Sequence, residues 1–188
     1  MKMTRGGFDI LRKSLGKLTQ SQVDEINFLV GEFDKDKSIS YPQAAYMLAT
    51  TWWETAQTML PIEEYGKGKG RKYGQKYDMD GSIYKGLDHI YYGRGYVQLT
   101  WLSNYAFAKK KLNIDFVNHP EYALQREYAV KILITGMKEG WFTGRKLSDY
   151  IHQSKKDYVN ARRIINGTDK AQKIAEIANV FERALRSI

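Results

Sequence analysis

Tyr91-Tyr92-Gly93-Arg94-Gly95-Tyr96-Val97-Gln98-Leu99-Thr100-Trp101, followed by Leu102-Ser103-Asn104-Tyr105, is the most specific stretch of the chain. Glycines on both sides of an arginine let backbone approach a ligand closely. Gln98, Thr100 and Asn104 can fall near one face of the helical turn that follows. The tyrosines offer flat faces for sugar rings and hydroxyls for hydrogen bonds. Tyr91 and Arg94 therefore enter as candidate ligand contacts, although the same residues also read as a glycine hinge before a core helix. The stretch is neither a Walker loop nor a dinucleotide fingerprint, because the required glycine spacing and preceding strand are missing.

On either side of it the apolar pattern is helical. Thr19 with Gln22 reads as a capping box, and Val23, Ile26, Leu29, Val30 and Phe33 continue a stripe to about Phe33. Ser40 with Gln43 repeats the signal. Pro42 is tolerated in a first turn, and Ala45, Leu48, Ala49 and Trp52 mark a buried face that predicts a helix to about Met59. Periodicity returns over Val97–Leu112, from Pro120 to Met137, over Tyr158–Ile165 and over Ala171–Leu185. Between Gly66 and Gly95 lie eight of the 16 glycines, with tyrosines, lysines and arginines and no sustained period. That stretch predicts a loop or short hairpin. The expectation is a mainly α chain with one irregular Gly/Tyr-rich insertion.

The chain has 188 residues, 43% of them hydrophobic, enough for one sizeable core, so a single domain spanning 1–188 is expected. There is no cysteine to form a disulfide or a thiolate metal site. His89, His119 and His152 lie far apart without an i, i+4 partner, so no metal and no cofactor are expected. No apolar run approaches membrane-spanning length, and the basic N-terminus is not followed by a secretory h-region. A net charge of +9 favours polyanionic partners without choosing among them.

Between Tyr41 and Ile62 the only charged side chain is Glu54, flanked by Trp52, Trp53 and Thr55. Apolar surroundings disfavour an ionised carboxylate, which suits a general acid that must hold its proton; a glutamate facing solvent from the outer side of the helix fits the pattern equally. Glu63 and Glu64 follow just after Pro61, where the chain should turn. Two carboxylates on different elements are what a glycosidase needs, one to protonate the leaving oxygen and one to activate water or attack the sugar.

The motif Gly93-Arg94-Gly95-x-x-Gln98-Leu99-Thr100-x-x-x-Asn104-Tyr105 resembles the signature of glycoside hydrolase family 19, which holds chitinases and many phage endolysins. The resemblance extends to Trp53-Glu54-Thr55, to Met59-Leu60-Pro61-Ile62-Glu63-Glu64-Tyr65 and to Ile164-Ile165-Asn166-Gly167-Thr168, and spans roughly residues 40 to 185. It implies a lysozyme-like helical domain with the irregular insertion lining the cleft. It also implies Glu54 as general acid, Glu64 as general base with Glu63 as fallback, and Thr100 as the hydroxyl that holds the attacking water. Gln98, Asn104 and Asn166 match sugar-binding positions. The implied reaction inverts the anomeric centre, with carboxylates roughly 6.5 to 9.5 Å apart in inverting enzymes generally.

Departures from the pattern narrow the substrate. Trp53 replaces the usual histidine, Ser103 stands where plant chitinases carry tyrosine, and the disulfides of the plant enzymes are missing. These differences favour the short phage and bacterial branch, acting on peptidoglycan glycan strands, over a chitinase on N-acetylglucosamine polymers. The expected protein is a monomeric endolysin that attracts the anionic cell envelope and has no separate wall-binding module. It would be held in the host cytoplasm until a holin releases it, without stable membrane insertion. A lytic transglycosylase would need only one catalytic acid. A nucleic-acid surface built from Lys67, Lys69, Arg71, Lys72, Tyr73 and Tyr77 is the non-enzymatic alternative; no nucleic-acid motif accompanies it, so no nucleic-acid partner is expected.

Overall fold

A computed structural model describes residues 1–73 and 91–187. In chain order the elements are α1 (Arg5–Leu15), α2 (Gln20–Lys35), α3 (Tyr41–Glu54), β1 (Ile62–Glu63), β2 (Arg94–Gly95), α4 (Leu102–Leu112), α5 (Arg126–Glu139), α6 (Leu147–Tyr150), β3 (Ile151–His152), β4 (Lys155–Lys156) and α7 (Ala171–Leu185). Tight 3₁₀ turns occupy Pro120–Leu124 and Asn160–Ile164. The chain is mainly helical, as its periodicity predicts, and it divides into two compact units, Met1–Met59 with Ile134–Ile188, and Leu60–Leu133. Among the described residues no helix is long and apolar enough to cross a membrane.

In the first unit both capping boxes form. Thr19 and Gln22 exchange their bonds at 3.2 and 2.8 Å at the start of α2, and Ser40 and Gln43 do the same at 3.4 and 3.1 Å at the start of α3. α2 runs to Lys35, two residues past the expected stop. α1 was hidden in what reads as a basic tail, because two glycines in its first turn are poor helix formers. Thr4 caps it by accepting the Gly7 N–H at 3.0 Å, and burial of Phe8 and Leu11 holds it in place.

α3 differs from its pattern in two ways. Every residue from Ala44 to Trp52 is buried, so the helix is covered all round rather than on one face. It also ends at Glu54 instead of Met59. The Thr55 hydroxyl donates to the Thr51 carbonyl at 2.7 Å and accepts the Met59 N–H at 3.0 Å, offering the backbone an alternative to further helix. Ala56, Gln57 and Met59 then take positive φ values of 49°, 72° and 63°. α7 covers α3, with Trp52 edge-on to Phe181 at 6.2 Å, and Tyr46 stacks on Tyr158 at 5.8 Å.

In the second unit β1 pairs antiparallel with β2, Ile62 opposite Gly95 and Glu63 opposite Arg94. Arg94 and Leu99 then exchange backbone hydrogen bonds at 3.2 and 2.9 Å across a tight turn. The helix expected from Val97 therefore starts only at Leu102, because Gln98 and Trp101 have positive φ values of 54° and 76° that no right-handed helix accepts. The apolar stretch after Pro120 splits into a 3₁₀ turn and α5, and that over Tyr158–Ile165 is a 3₁₀ turn at Asn160–Ile164. Of the Gly/Tyr-rich stretch, residues 66–73 are turn and irregular loop; residues 74–90, with Tyr77 and His89, lie outside the described residues.

Buried on α7, Glu182 accepts hydrogen bonds from Tyr158 at 2.8 Å, Lys156 at 2.9 Å and Arg186 at 3.0 Å. Burial opposes its ionisation, but these three donors outweigh it and hold its pKa below the ordinary value near 4.5. A carboxyl depressed in the folded state adds stability above its unfolded pKa and loses it as pH falls through the folded value. Urea unfolding measured from pH 7 down to pH 3 should therefore show a shallower acid loss of stability in Glu182→Gln than in the wild type. Parallel profiles would place the acid sensitivity elsewhere.

Candidate active site

Glu54 is the last residue of α3, half-buried, where the chain leaves the helix through the three left-handed residues that follow. Sequence alone portrays it as an isolated carboxylate. In the fold Arg162 Nη1 donates to Glu54 Oε1 at 2.5 Å. Arg162 is itself only 4% exposed and its Nε donates to the Asp169 carbonyl at 3.1 Å. The guanidinium thus fixes the direction in which Glu54 presents its other oxygen. The Asn166 N–H donates to the Arg162 carbonyl at 3.0 Å, while its side chain is exposed, so a predicted sugar contact follows directly on the 3₁₀ turn that carries the partner of Glu54.

In the other unit a second carboxylate is organised around Gly93. Glu64 N–H donates to the Gly93 carbonyl at 2.7 Å, and Gly93 N–H donates back to Glu64 Oε2 at 2.9 Å. The Tyr73 hydroxyl donates to Glu64 Oε1 at 3.1 Å, so both carboxylate oxygens are held. A Cβ on Gly93 would lie 2.8 Å from Gln98 Oε1 and 3.2 Å from Thr100 Oγ1, which places those side chains against the glycine that Glu64 grips. Gln98 Nε2 donates to the carbonyls of Ile62 and Gly95, both at 3.1 Å, bracing β1 and β2. Thr100 donates its one hydroxyl proton to the Gln98 carbonyl at 2.7 Å, leaving lone pairs that can only accept. Asn104 Nδ2 donates to the Thr100 carbonyl at 2.8 Å. Glu64, Gln98, Thr100 and Asn104 are therefore one connected set.

Glu63, the neighbouring carboxylate, is committed otherwise. It accepts from Tyr92 at 2.7 Å and pairs with Lys67 at 3.0 Å, and these two donors hold its pKa below the usual carboxylate range. Gly95, at φ 85°, packs where any Cβ would sit 2.8 Å from the Ala123 carbonyl, so this position requires glycine on both counts.

Tyr91 and Arg94, candidate ligand contacts on sequence, occupy framework positions. Tyr91 is 1% exposed and donates to the Val117 carbonyl at 2.9 Å. Arg94 is 5% exposed, its guanidinium 3.7 Å from the Tyr92 ring centre, and donates to the Tyr105 hydroxyl at 2.9 Å, which in turn donates to the Tyr92 carbonyl at 2.7 Å. The alternation of glycine and arginine reads as ligand approach because sequence cannot show which way an arginine points.

Two residues escaped the sequence reading. Arg162 is one of 30 basic residues, and only its nearness to the Asn166-Gly167 motif could have singled it out. Tyr73 was noted for its place beside cations, yet its hydroxyl is on Glu64. In both cases the partner lies on a different element, beyond the reach of local pattern.

Solved structures with a similar fold include three chitinases. Chitinase C from Streptomyces griseus HUT6037 matches with a TM-score of 0.61 at 19% identity, over 97% of this chain and 76% of that one. A bacterial family 19 chitinase, whose structure and enzymatic properties differ from those of plant enzymes, matches with a TM-score of 0.58 at 18% identity, over 99% and 96%. A point mutant of chitinase C matches with a TM-score of 0.62 at 20% identity, over 99% and 93%. The fold is that of the family 19 chitinases. No family model and no curated protein matches the sequence.

Breaking a buried ion pair from one side leaves the other charge uncompensated, typically at a cost of about 3–5 kcal/mol. Arg162→Gln should destabilise the protein on that scale in urea unfolding, and the double variant with Glu54→Gln should cost less than the sum of the two single changes. Additive costs would mean that the two groups do not support each other.

Proposed function

We propose that the chain is a glycoside hydrolase that cuts the glycan strands of bacterial peptidoglycan, an endolysin-type muramidase working with an acid and base carboxylate pair. The observation that carries this reading is the set built on Gly93: a carboxylate with both oxygens held, beside a hydroxyl whose proton is already engaged. A water lodged there would donate one hydrogen to Glu64 and one to Thr100, turning its lone pair outward. That is the orientation a nucleophilic water needs, and it supports Glu64 as general base. Glu63, held ionised by Lys67 and Tyr92, is the poorer proton acceptor.

Glu54 supplies the proton to the leaving oxygen in this mechanism, with Arg162 keeping its carboxyl aimed. Asn104 and Asn166 contact the sugars. Attack by a held water rather than by a carboxylate makes the reaction inverting. The chain is one catalytic domain in this reading, works as a monomer and needs no cofactor. Its place before lysis is the host cytoplasm, with release by a holin. The chitinase reading has a specific observation in its favour, since the similar structures named above are chitinases. The net charge of +9 favours the anionic wall over a neutral polymer.

Glu54→Gln keeps the shape of the side chain but supplies no proton, so clearing of permeabilised Gram-negative cells should stop while the circular dichroism spectrum is retained. Glu64→Gln should lower the rate on the order of a hundredfold to ten-thousandfold, with Thr100→Val milder and Glu63→Gln milder still. A damaging Glu63→Gln beside a silent Glu64→Gln would reverse the choice of base, and full retention of activity in Glu64→Gln would point to a lytic transglycosylase.

On substrate, purified peptidoglycan should be cleaved efficiently and chitin oligosaccharides weakly or not at all, with new reducing ends identified by mass spectrometry. Wall lysis should slow as salt shortens the Debye length below about 10 Å. Comparable specific activity on the two substrates would favour the chitinase.

A further inference from the structure

The basic turn that follows Glu64 is tied to that residue at both ends, once through its main-chain carbonyl and once through its carboxylate. The Lys67 N–H donates to the Glu64 carbonyl at 3.0 Å, and successive turns close from Lys69 to Gly66 at 3.0 Å and from Arg71 to Gly68 at 2.9 Å. At the far end the Tyr73 hydroxyl returns to Glu64 Oε1 at 3.1 Å. The Tyr73 carbonyl accepts the Leu102 N–H at 2.8 Å, and its ring meets Trp101 edge-on at 4.8 Å. The turn is thus a closed arch, footed on Glu64 on one side and on the start of α4, beside Thr100, on the other.

Its charges divide sharply. Lys67 is spent on Glu63 at 3.0 Å. Lys69, Arg71 and Lys72 are exposed and, among the described residues, have no carboxylate partner. Three cations held beside a glycan-cleaving carboxylate have nothing to pair with on an uncharged sugar polymer. The stem peptides of peptidoglycan carry carboxylates that branch from the glycan backbone, within reach of flexible lysine and arginine side chains. An exposed cation is screened over roughly a Debye length, about 8 Å at physiological salt, so only charges borne on the bound strand itself would be felt.

We infer that Lys69, Arg71 and Lys72 form a specificity site that recognises the peptide carboxylates of peptidoglycan strands bound at Glu64. This rests on the peptidoglycan reading and deepens it, moving charge recognition from the protein's overall charge to one arch. The site acts on binding and leaves the proton transfers to Glu54 and Glu64.

The test uses the whole chain, as wild type and as the triple variant Lys69→Gln, Arg71→Gln, Lys72→Gln. Substrates are soluble uncross-linked peptidoglycan, the same material with its carboxyls converted to neutral amides, and chitin oligosaccharides. Loss of several exposed ion pairs should raise KM on native peptidoglycan about tenfold while kcat holds. On the amidated material the two proteins should share one KM, and the wild-type KM there should approach that of the variant on native strands. An unchanged KM on native strands, an equal rise on native and amidated strands, or a fall in kcat alone would overturn the inference and leave the peptidoglycan reading standing. A wild type that cleaves chitin oligosaccharides and leaves both peptidoglycans intact would remove that reading, and this inference with it.

Discussion

A guanidinium taken out of water must find acceptors or π-density among its neighbours, and each unit of this protein is arranged around one. Arg94 lies beneath the Tyr92 ring and donates to Tyr105, whose hydroxyl closes onto the Tyr92 backbone. That arrangement fixes the strand from which Gly93 meets Glu64. Arg162 donates to Glu54 and to the Asp169 carbonyl, fixing the end of α3 against a 3₁₀ turn. Because an unpaired buried charge is so costly, each arginine dictates the positions of groups far from it in sequence. Both carboxylates of the proposed mechanism are one or two contacts away from such a dictated position.

Both carboxylates sit where regular structure ends. Glu54 occupies the last turn of a helix terminated by a threonine hydroxyl and three left-handed residues, and Glu64 follows a two-residue strand. Backbone in uncommon regions of φ and ψ persists only where its surroundings over-determine it, and such positions concentrate where side chains must be aimed. Here the aiming is done largely by backbone groups: the Gly93 N–H grips Glu64, the Gln98 carbonyl orients the Thr100 hydroxyl, and the Thr100 carbonyl holds Asn104. Main-chain donors and acceptors lose no rotamer freedom on binding, so the set is rigid before any substrate arrives.

How much was legible beforehand depends on the range of the cause. The Thr19 and Ser40 caps act within four residues, and both were readable and correct in place. The α7 boundaries follow from an apolar period undisturbed by glycine. The end of α3, by contrast, turns on a competition between the Thr55 hydroxyl and continued helix, which composition does not decide. The start of α4 depends on left-handed conformations at Gln98 and Trp101, non-glycine residues that nothing local marks for that role.

For the site, sequence by itself determined which residues had chemistry to offer: a lone acid among apolar residues, a pair of glutamates past a proline, and a glycine-flanked motif with hydroxyl and amide groups at defined spacing. Tertiary structure alone decided their company. It paired Glu54 with Arg162, 108 positions away, committed Glu63 to Lys67 and Tyr92, and turned Arg94 and Tyr91 inward. The reason is physical: residue type sets what a side chain can donate or accept, whereas its actual partner is chosen by how separate elements pack, which spacing along the chain does not encode.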